Sequence, residues 1–156
     1  MNGFEIRKLR EDDIIPYDLL YMADPSVEAI KDYLARGCCY IGCLDNMIIG
    51  VYVLLPTRPF TVELVNLAVN EKYQNIGYGR LLVYHAIETA RDENYRVMEV
   101  GTGNAGIGQL ALYQKCGFTI YAVDFDFFSR HYDEPVFENG IECRHMIRMR
   151  MDLTGQ

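Results

Sequence analysis

The sequence predicts an α/β (α+β) fold of about seven strands and about four helices, in a single domain over residues 1–156. Three observations predict it. Strand-like apolar runs and runs of helical period alternate in the order β-αα-βββ-α-β-α-ββ. A glycine-bearing loop, Gln74-Asn75-Ile76-Gly77-Tyr78-Gly79-Arg80, links a hydrophobic strand to an amphipathic helix. The 156 residues, half of them hydrophobic, suffice for one sizeable core, and no repeat, low-complexity run or linker divides them.

Phe4 to Leu9 reads as the first strand. Asp12-Asp13 offers a helix start, and a helix over Ile15 to Met22 follows with Pro16 in its first turn, where a missing N–H costs nothing. Asp24-Pro25 repeats that signal, with Asp24 as the cap. The second helix sets Val27, Ile30, Tyr33 and Leu34 on one face and stops at Gly37. Cys38 to Leu44 and Met47 to Leu55 form a hairpin about Asp45-Asn46, residue types that tolerate positive φ. Pro56-Thr57-Arg58-Pro59 breaks the chain. The strand ending at Val69 is apolar on both faces, which predicts a mid-sheet position.

A helix from Gly79 or Arg80 to about Asp92 buries Leu82, Val83, Ala86, Ile87 and Ala90. Arg96 to Gly101 is a strand, and Gln109 to Cys116 a short helix ended by Gly117. Phe118 to Phe125 is a strand, followed by a long polar and aromatic loop through Gly140. In the last strand, Glu142 to Leu153, the residues Ile147, Met149, Met151 and Leu153 point one way; Arg148, Arg150 and Asp152 point the other.

The loop Gln74–Arg80 carries the first chemical signal. Gly77 and Gly79 lack a Cβ, so the backbone can take positive φ and approach a ligand closely. The first N–H groups of the following helix have no partner within it, and the helix dipole is positive there. Together these make an anion site, most naturally for phosphates. The bulk composition narrows the partners. A net charge of −7 opposes sequence-independent nucleic-acid binding and favours cationic partners such as amines. No apolar run approaches the ~20 residues of a membrane helix, and Met1 to Glu5 does not read as a secretory signal, so the expected location is the cytoplasm. The five cysteines have neither pairing parity nor metal-ligand spacing; they read as reduced and mostly buried, with no metal bound.

With Leu112-Tyr113-Gln114-Lys115-Cys116-Gly117-Phe118 added to Gln74-x-x-Gly77-x-Gly79, the chain resembles the GNAT superfamily of acyl-CoA-dependent N-acyltransferases from Phe4 to Leu153. The resemblance implies a mixed central sheet flanked by helices, acetyl-CoA as co-substrate, and transfer to a primary amine of a small molecule, an amino sugar or a protein. It implies that Gln74, Asn75, Ile76, Gly77, Tyr78, Gly79 and Arg80 hold the pyrophosphate, in agreement with the anion-site reading. It further implies that Leu67, Ala68 and Val69 pair with the pantetheine arm through main-chain groups, one of them an oxyanion donor, where their strand splays from Arg96–Gly101. Asn104 matches a residue that contacts the cofactor arm, although the step from Asn104 to Tyr113 is longer than in many relatives. Tyr113 matches the general acid that serves the departing thiolate.

For the amine proton, Glu63 is the candidate base: it shares a face with Val65 and Leu67 in a strict alternation, and a carboxylate among apolar neighbours has a raised pKa. Glu99 is a weaker candidate. His85 is expected on the helix surface, His131 in the long loop, and His145 on the apolar face of the last strand. Asp124, Asp126, Asp133 and Glu134 are candidates to meet a cationic acceptor. Two rivals stand beside the transferase: a catalytically silent acyl-CoA sensor, and a nicotinamide-dinucleotide oxidoreductase. Against the second, the third glycine position holds Leu82. A homodimer is a further expectation, with the hydrophobic C-terminal strand as one contact.

Overall fold

The computed structural model describes residues 2–155. Apolar alternation and helical period resolve into β1 (Phe4–Lys8), α1 (Tyr17–Ala23), α2 (Val27–Arg36), β2 (Cys38–Leu44), β3 (Met47–Arg58), β4 (Thr61–Val69), α3 (Tyr78–Asp92), β5 (Val97–Gly103), α4 (Ile107–Lys115), β6 (Thr119–Asp124), α5 (Phe127–His131), β7 (Val136–Glu138), β8 (Ile141–Cys143) and β9 (Met146–Asp152). Seven strands make one sheet in the order β1-β2-β3-β4-β5-β9-β6. Only β4 and β5 run parallel; every other neighbouring pair is antiparallel, so the sheet is mixed. The expected mid-sheet place of β4 is what the structure has.

The core has two layers. On one face α3 and α4 pack Leu82, Val83, Ala86 and Tyr113 against Tyr52, Leu64, Met98 and Met149. On the other, α1 and α2 pack Leu20, Ile30 and Tyr33 against Ile41, Val51 and Val53. Complete burial of a side chain such as Ile30 stabilises by about 1.5–3 kcal/mol, which is why one short amphipathic helix holds its place. Gly50 lets α3 come close: a Cβ there would stand 2.8 Å from Leu82.

Several boundaries differ from the sequence reading, each for a local reason. Asp13 does not start a helix; its carboxylate binds the Arg7 guanidinium at 2.8 Å and the Arg10 N–H at 2.6 Å. Pro16 is the cap of α1 rather than a first-turn residue. Ser26, not Asp24, caps α2, its hydroxyl accepting from the Ala29 N–H at 3.2 Å, while Asp24 accepts from the Ser26 N–H. Val27 is left exposed. β3 runs through Pro56 to Arg58, past the end of its pairing with β2, and its register with β4 shifts there, so the ladder tolerates the missing N–H. The expected loop to Gly140 contains a fifth helix, α5, and the small β7–β8 sheet. The single last strand is two, β8 and β9, parted at Arg144-His145. β9 lies between β5 and β6, so its edges are paired and it offers no backbone edge to a second copy.

One irregularity shapes the site. The β3–β4 register shifts between Val53 and Leu54, so Val65 is the extra residue of a bulge. The alternation in β4 reverses there: Val62 and Leu64 before it, but Leu67 and Val69 after it, face α3. Glu63 therefore points to the opposite side from Leu67, not the same side as strict alternation implies.

Candidate functional site

β4 and β5 pair only from Thr61↔Val97 to Leu64↔Val100. Beyond that the strands part, as expected, and Leu67, Ala68 and Val69 pair with β3 on one edge alone. The chain then passes a short 3-10 turn, Glu71–Tyr73, and the Gln74 amide donates to the Val69 carbonyl at 2.8 Å, tying the loop to the strand end. Gly77 has φ 110° and Asn75 φ 63°, two left-handed residues that swing the backbone into α3. Gly79 is an ordinary first-turn residue instead; a Cβ there would lie 3.5 Å from Leu112 and 4.0 Å from Val69. The first turn of α3 thus sits against both α4 and the end of β4.

No backbone acceptor among the described residues takes the N–H groups of Asn75, Ile76, Gly77, Tyr78, Gly79 or Arg80; the first bonded amide is Leu81, donating to Gly77. A run of free donors at the positive end of a 15-residue helix suits an anion of more than one phosphate. Ile76 and Arg80 are exposed, whereas the Tyr78 ring is buried against Phe4 at 4.7 Å and anchors the turn.

Tyr113 is 5 % exposed, on α4, within the same packed cluster as Leu67, Val69 and Val100 at the parting strand ends. Its ring meets Phe118 edge-on at 5.9 Å. Burial pushes its phenol well above the ordinary tyrosine value, so the hydroxyl stays protonated as a donor.

The opposite face carries charge. The register sets Glu63 of β4 beside Glu99 of β5, and Glu99 opposite Arg150 of β9. Glu99 accepts from Arg58 at 2.8 Å and from the Tyr121 hydroxyl at 3.1 Å. The Glu63 carboxyl is raised from its ordinary value, chiefly by burial; Arg148 at 3.9 Å pulls it down and the neighbouring Glu99 pushes it up. Arg150 lies over the Tyr121 ring. Arg58, Tyr121 and Arg148 are drawn to Glu63 and Glu99 from three other strands. The signal for them was the charged face of β9, where Arg148 and Arg150 alternate with the apolar Ile147, Met149 and Met151.

Other expected residues have different partners. The Asn104 carbonyl oxygen accepts from the N–H groups of Arg144 (2.8 Å) and His145 (2.9 Å), and its amide donates to Glu142 at 3.2 Å, so it joins the end of β5 to the β8–β9 break. His85 is half-buried rather than on the surface, with Nδ1 2.7 Å from the Tyr52 hydroxyl; burial lowers its pKa. His145 precedes β9 and accepts from the Asp126 N–H at 2.9 Å, instead of joining an apolar face. His131 lies tilted against Phe127, with ring centroids 4.4 Å apart. Asp124 pairs with Arg130 at 2.7 Å and Asp126 with Arg144 at 3.3 Å, so both acids already have guanidinium partners. Asn66, beyond the bulge, donates to the Leu20 carbonyl and the Tyr33 hydroxyl, binding α1 and α2 to β4; nothing in the residue pattern singled it out. Among the described residues no group of three or more His, Cys, Asp or Glu is placed to hold a metal, and no helix is long and apolar enough to cross a membrane.

Comparison with known proteins bears on this geometry. The model of the acetyltransferase (GNAT) family matches residues 6–118. An uncharacterized N-acetyltransferase of Bacillus subtilis (strain 168), YvbK, is 56 % identical over 137 residues, covering 88 % of each chain. A GNAT family acetyltransferase from Elizabethkingia anophelis, solved with acetyl-CoA bound, superposes with a TM-score of 0.95 at 45 % identity, covering 97 % of this chain and 99 % of that one. A Bacillus subtilis acetyltransferase solved in complex with CoA superposes with a TM-score of 0.90 at 52 % identity, covering 96 % and 98 %. The parted strands, the donor-lined loop after β4 and the family match over residues 6–118 lead to one conclusion: this chain belongs to the GNAT family of acetyltransferases.

Proposed function

We propose that this protein transfers the acetyl group of acetyl-CoA to a primary amine that arrives as an ammonium ion, by direct attack of the amine on the thioester. The observation that carries the reading is the run of unpartnered N–H groups from Asn75 to Arg80, set where β4 and β5 part. These amides, with Gln74 holding the loop to Val69, receive the pyrophosphate. Leu67, Ala68 and Val69 offer main-chain groups to the pantetheine arm along the edge that β5 has left, and an N–H among them polarises the thioester carbonyl. The Tyr113 hydroxyl serves the departing sulfur. Its raised pKa makes it a strong-holding O–H donor, so it acts by hydrogen bonding to the developing thiolate as much as by complete proton transfer. Glu63, raised by burial, takes a proton from the acceptor. Asn104 contributes by holding the β5 end on which the arm rests.

Calorimetric titration with acetyl-CoA, followed by thiol release over a panel of amines, tests this. Binding at about micromolar affinity, with amine-dependent thiol release, is the expected result. Absence of heat on titration removes the reading.

A further inference from the structure

We infer that the acceptor carries a carboxylate close to its amine, received by Arg148, so that the substrates are amino carboxylates. The inference rests on the acetyl transfer proposed above and names its acceptor class. The acceptor side of the sheet is not simply acidic. Arg148 of β9 stands opposite Gly101 of β5, and its Nη1 and the Met146 side chain occupy the space a Cβ there would take. The side chain is 28 % exposed, yet the carboxylate oxygens of Glu63 and Asp124 both stand at 3.9 Å, beyond hydrogen-bond reach. The nearby guanidiniums are placed otherwise: Arg58 on Glu99 at 2.8 Å, Arg130 on Asp124 at 2.7 Å, Arg144 on Asp126 at 3.3 Å, and Arg150 over the Tyr121 ring at 4.5 Å. Arg148 also lies over the Phe127 ring at 5.8 Å, an apolar flank that holds its fork in place.

Held 3.9 Å from two carboxylates, the Arg148 guanidinium makes no charge-assisted hydrogen bond, and an incoming carboxylate supplies two parallel N–H···O bonds. The neighbouring Glu63 oxygen at 3.9 Å is the matching site for an ammonium. Such closely set opposite charges fit a ligand whose amine and carboxylate sit on the same or an adjacent carbon. A diamine would bring a second positive charge against Arg148, which disfavours it.

The reaction balances with these groups. The ammonium loses one proton to solvent by way of Glu63. The amine nitrogen then attacks the thioester carbonyl; the C–N bond forms and the C–S bond breaks. The sulfur takes a proton from Tyr113, and the second proton shed by nitrogen replaces it.

Thiol release from acetyl-CoA, measured with phenylalanine against 2-phenylethylamine and leucine against 3-methylbutylamine, tests the inference on the whole chain. Each amino acid is expected to exceed its decarboxylated amine at least tenfold in kcat/KM. Arg148→Met is expected to slow the amino acids at least tenfold more than the amines, chiefly through KM, and Arg148→Lys to recover part of the loss. Equal use of both compounds by the native protein, or an equal effect of Arg148→Met on both, overturns the inference. Turnover of amines with none of amino acids overturns it too, while leaving acetyl transfer intact. No thiol release from any acceptor together with no acetyl-CoA binding overturns both.

Discussion

The two sides of the parted strands are built by different means. On the cofactor side, Asn75 to Arg80 supply consecutive backbone N–H groups from one short stretch. On the opposite side, where we propose the acceptor binds, Arg58, Glu63, Glu99, Tyr121 and Arg148 come from five strands, and every contact is made by a side chain. A backbone site needs the right turn and tolerates many side chains. A side-chain site needs particular residues, and it changes with each of them. The first kind can therefore be shared across a family, while the second is the part we propose sets the acceptor.

The sharpest way to break this contrast is Gly77→Asp. Gly77 holds φ 110°, which an L side chain rarely adopts, and a carboxylate there repels phosphate. Acetyl-CoA affinity should fall by about a thousandfold, roughly 4 kcal/mol, in a calorimetric titration. Exchanges of exposed Ile76 for other apolar residues should leave it nearly unchanged. If Ile76 variants cost as much as Gly77→Asp, the site is not made of backbone.

Tyr113→Phe comes next in size. The loss should be about a hundredfold in kcat, with acetyl-CoA affinity retained, because the ring keeps its packing on Phe118 and only the O–H donor goes. Equal kcat in the variant would assign Tyr113 to the core alone.

Glu63→Gln addresses the other side, with a loss of about tenfold in kcat/KM. A base acts when deprotonated, so activity falls as pH drops through its pKa. Since the Glu63 pKa is raised, that acidic limb should lie above the range of an ordinary glutamate and should vanish in Glu63→Gln. Arg148→Met removes the charge that lowers this pKa, so in that variant the limb should move to still higher pH. A limb that survives Glu63→Gln belongs to another group.

How much of this was legible follows the same division. The order of the main elements, the Asp45-Asn46 turn and the loop after β4 were readable, because local propensity and turn chemistry set them. The bulge at Val65 was not: no glycine or polar residue marks it, and it arises from β3 and β4 meeting out of step. Missing it put Glu63 on the wrong face. Pro56 read as a break because a missing N–H matters only where a partner needs it, and that depends on where β2 ends. The aromatic stretch after Phe125 read as loop because α5, β7 and β8 are too short for periodicity to appear. The arginine partners of Asp124 and Asp126 were not readable, because Arg144 and Arg148 are distant in sequence.

Asn104 lies between the two sides and gives the smallest and most informative effect. The family pattern sets it on the cofactor arm, while its hydrogen bonds run to Glu142, Arg144 and His145. Asn104→Ala leaves the Arg144 and His145 N–H groups to water, a loss of about 0.5–1.5 kcal/mol in urea unfolding. That corner connects the β5 end to β9, the strand bearing Arg148, so the kinetic effect should fall on acceptor KM and spare acetyl-CoA affinity. A several-fold loss of acetyl-CoA affinity with little change in stability would reverse the assignment. It would mean that the side chain leaves its present partners when the cofactor arm is bound, and that the backbone-built side recruits at least one side chain after all.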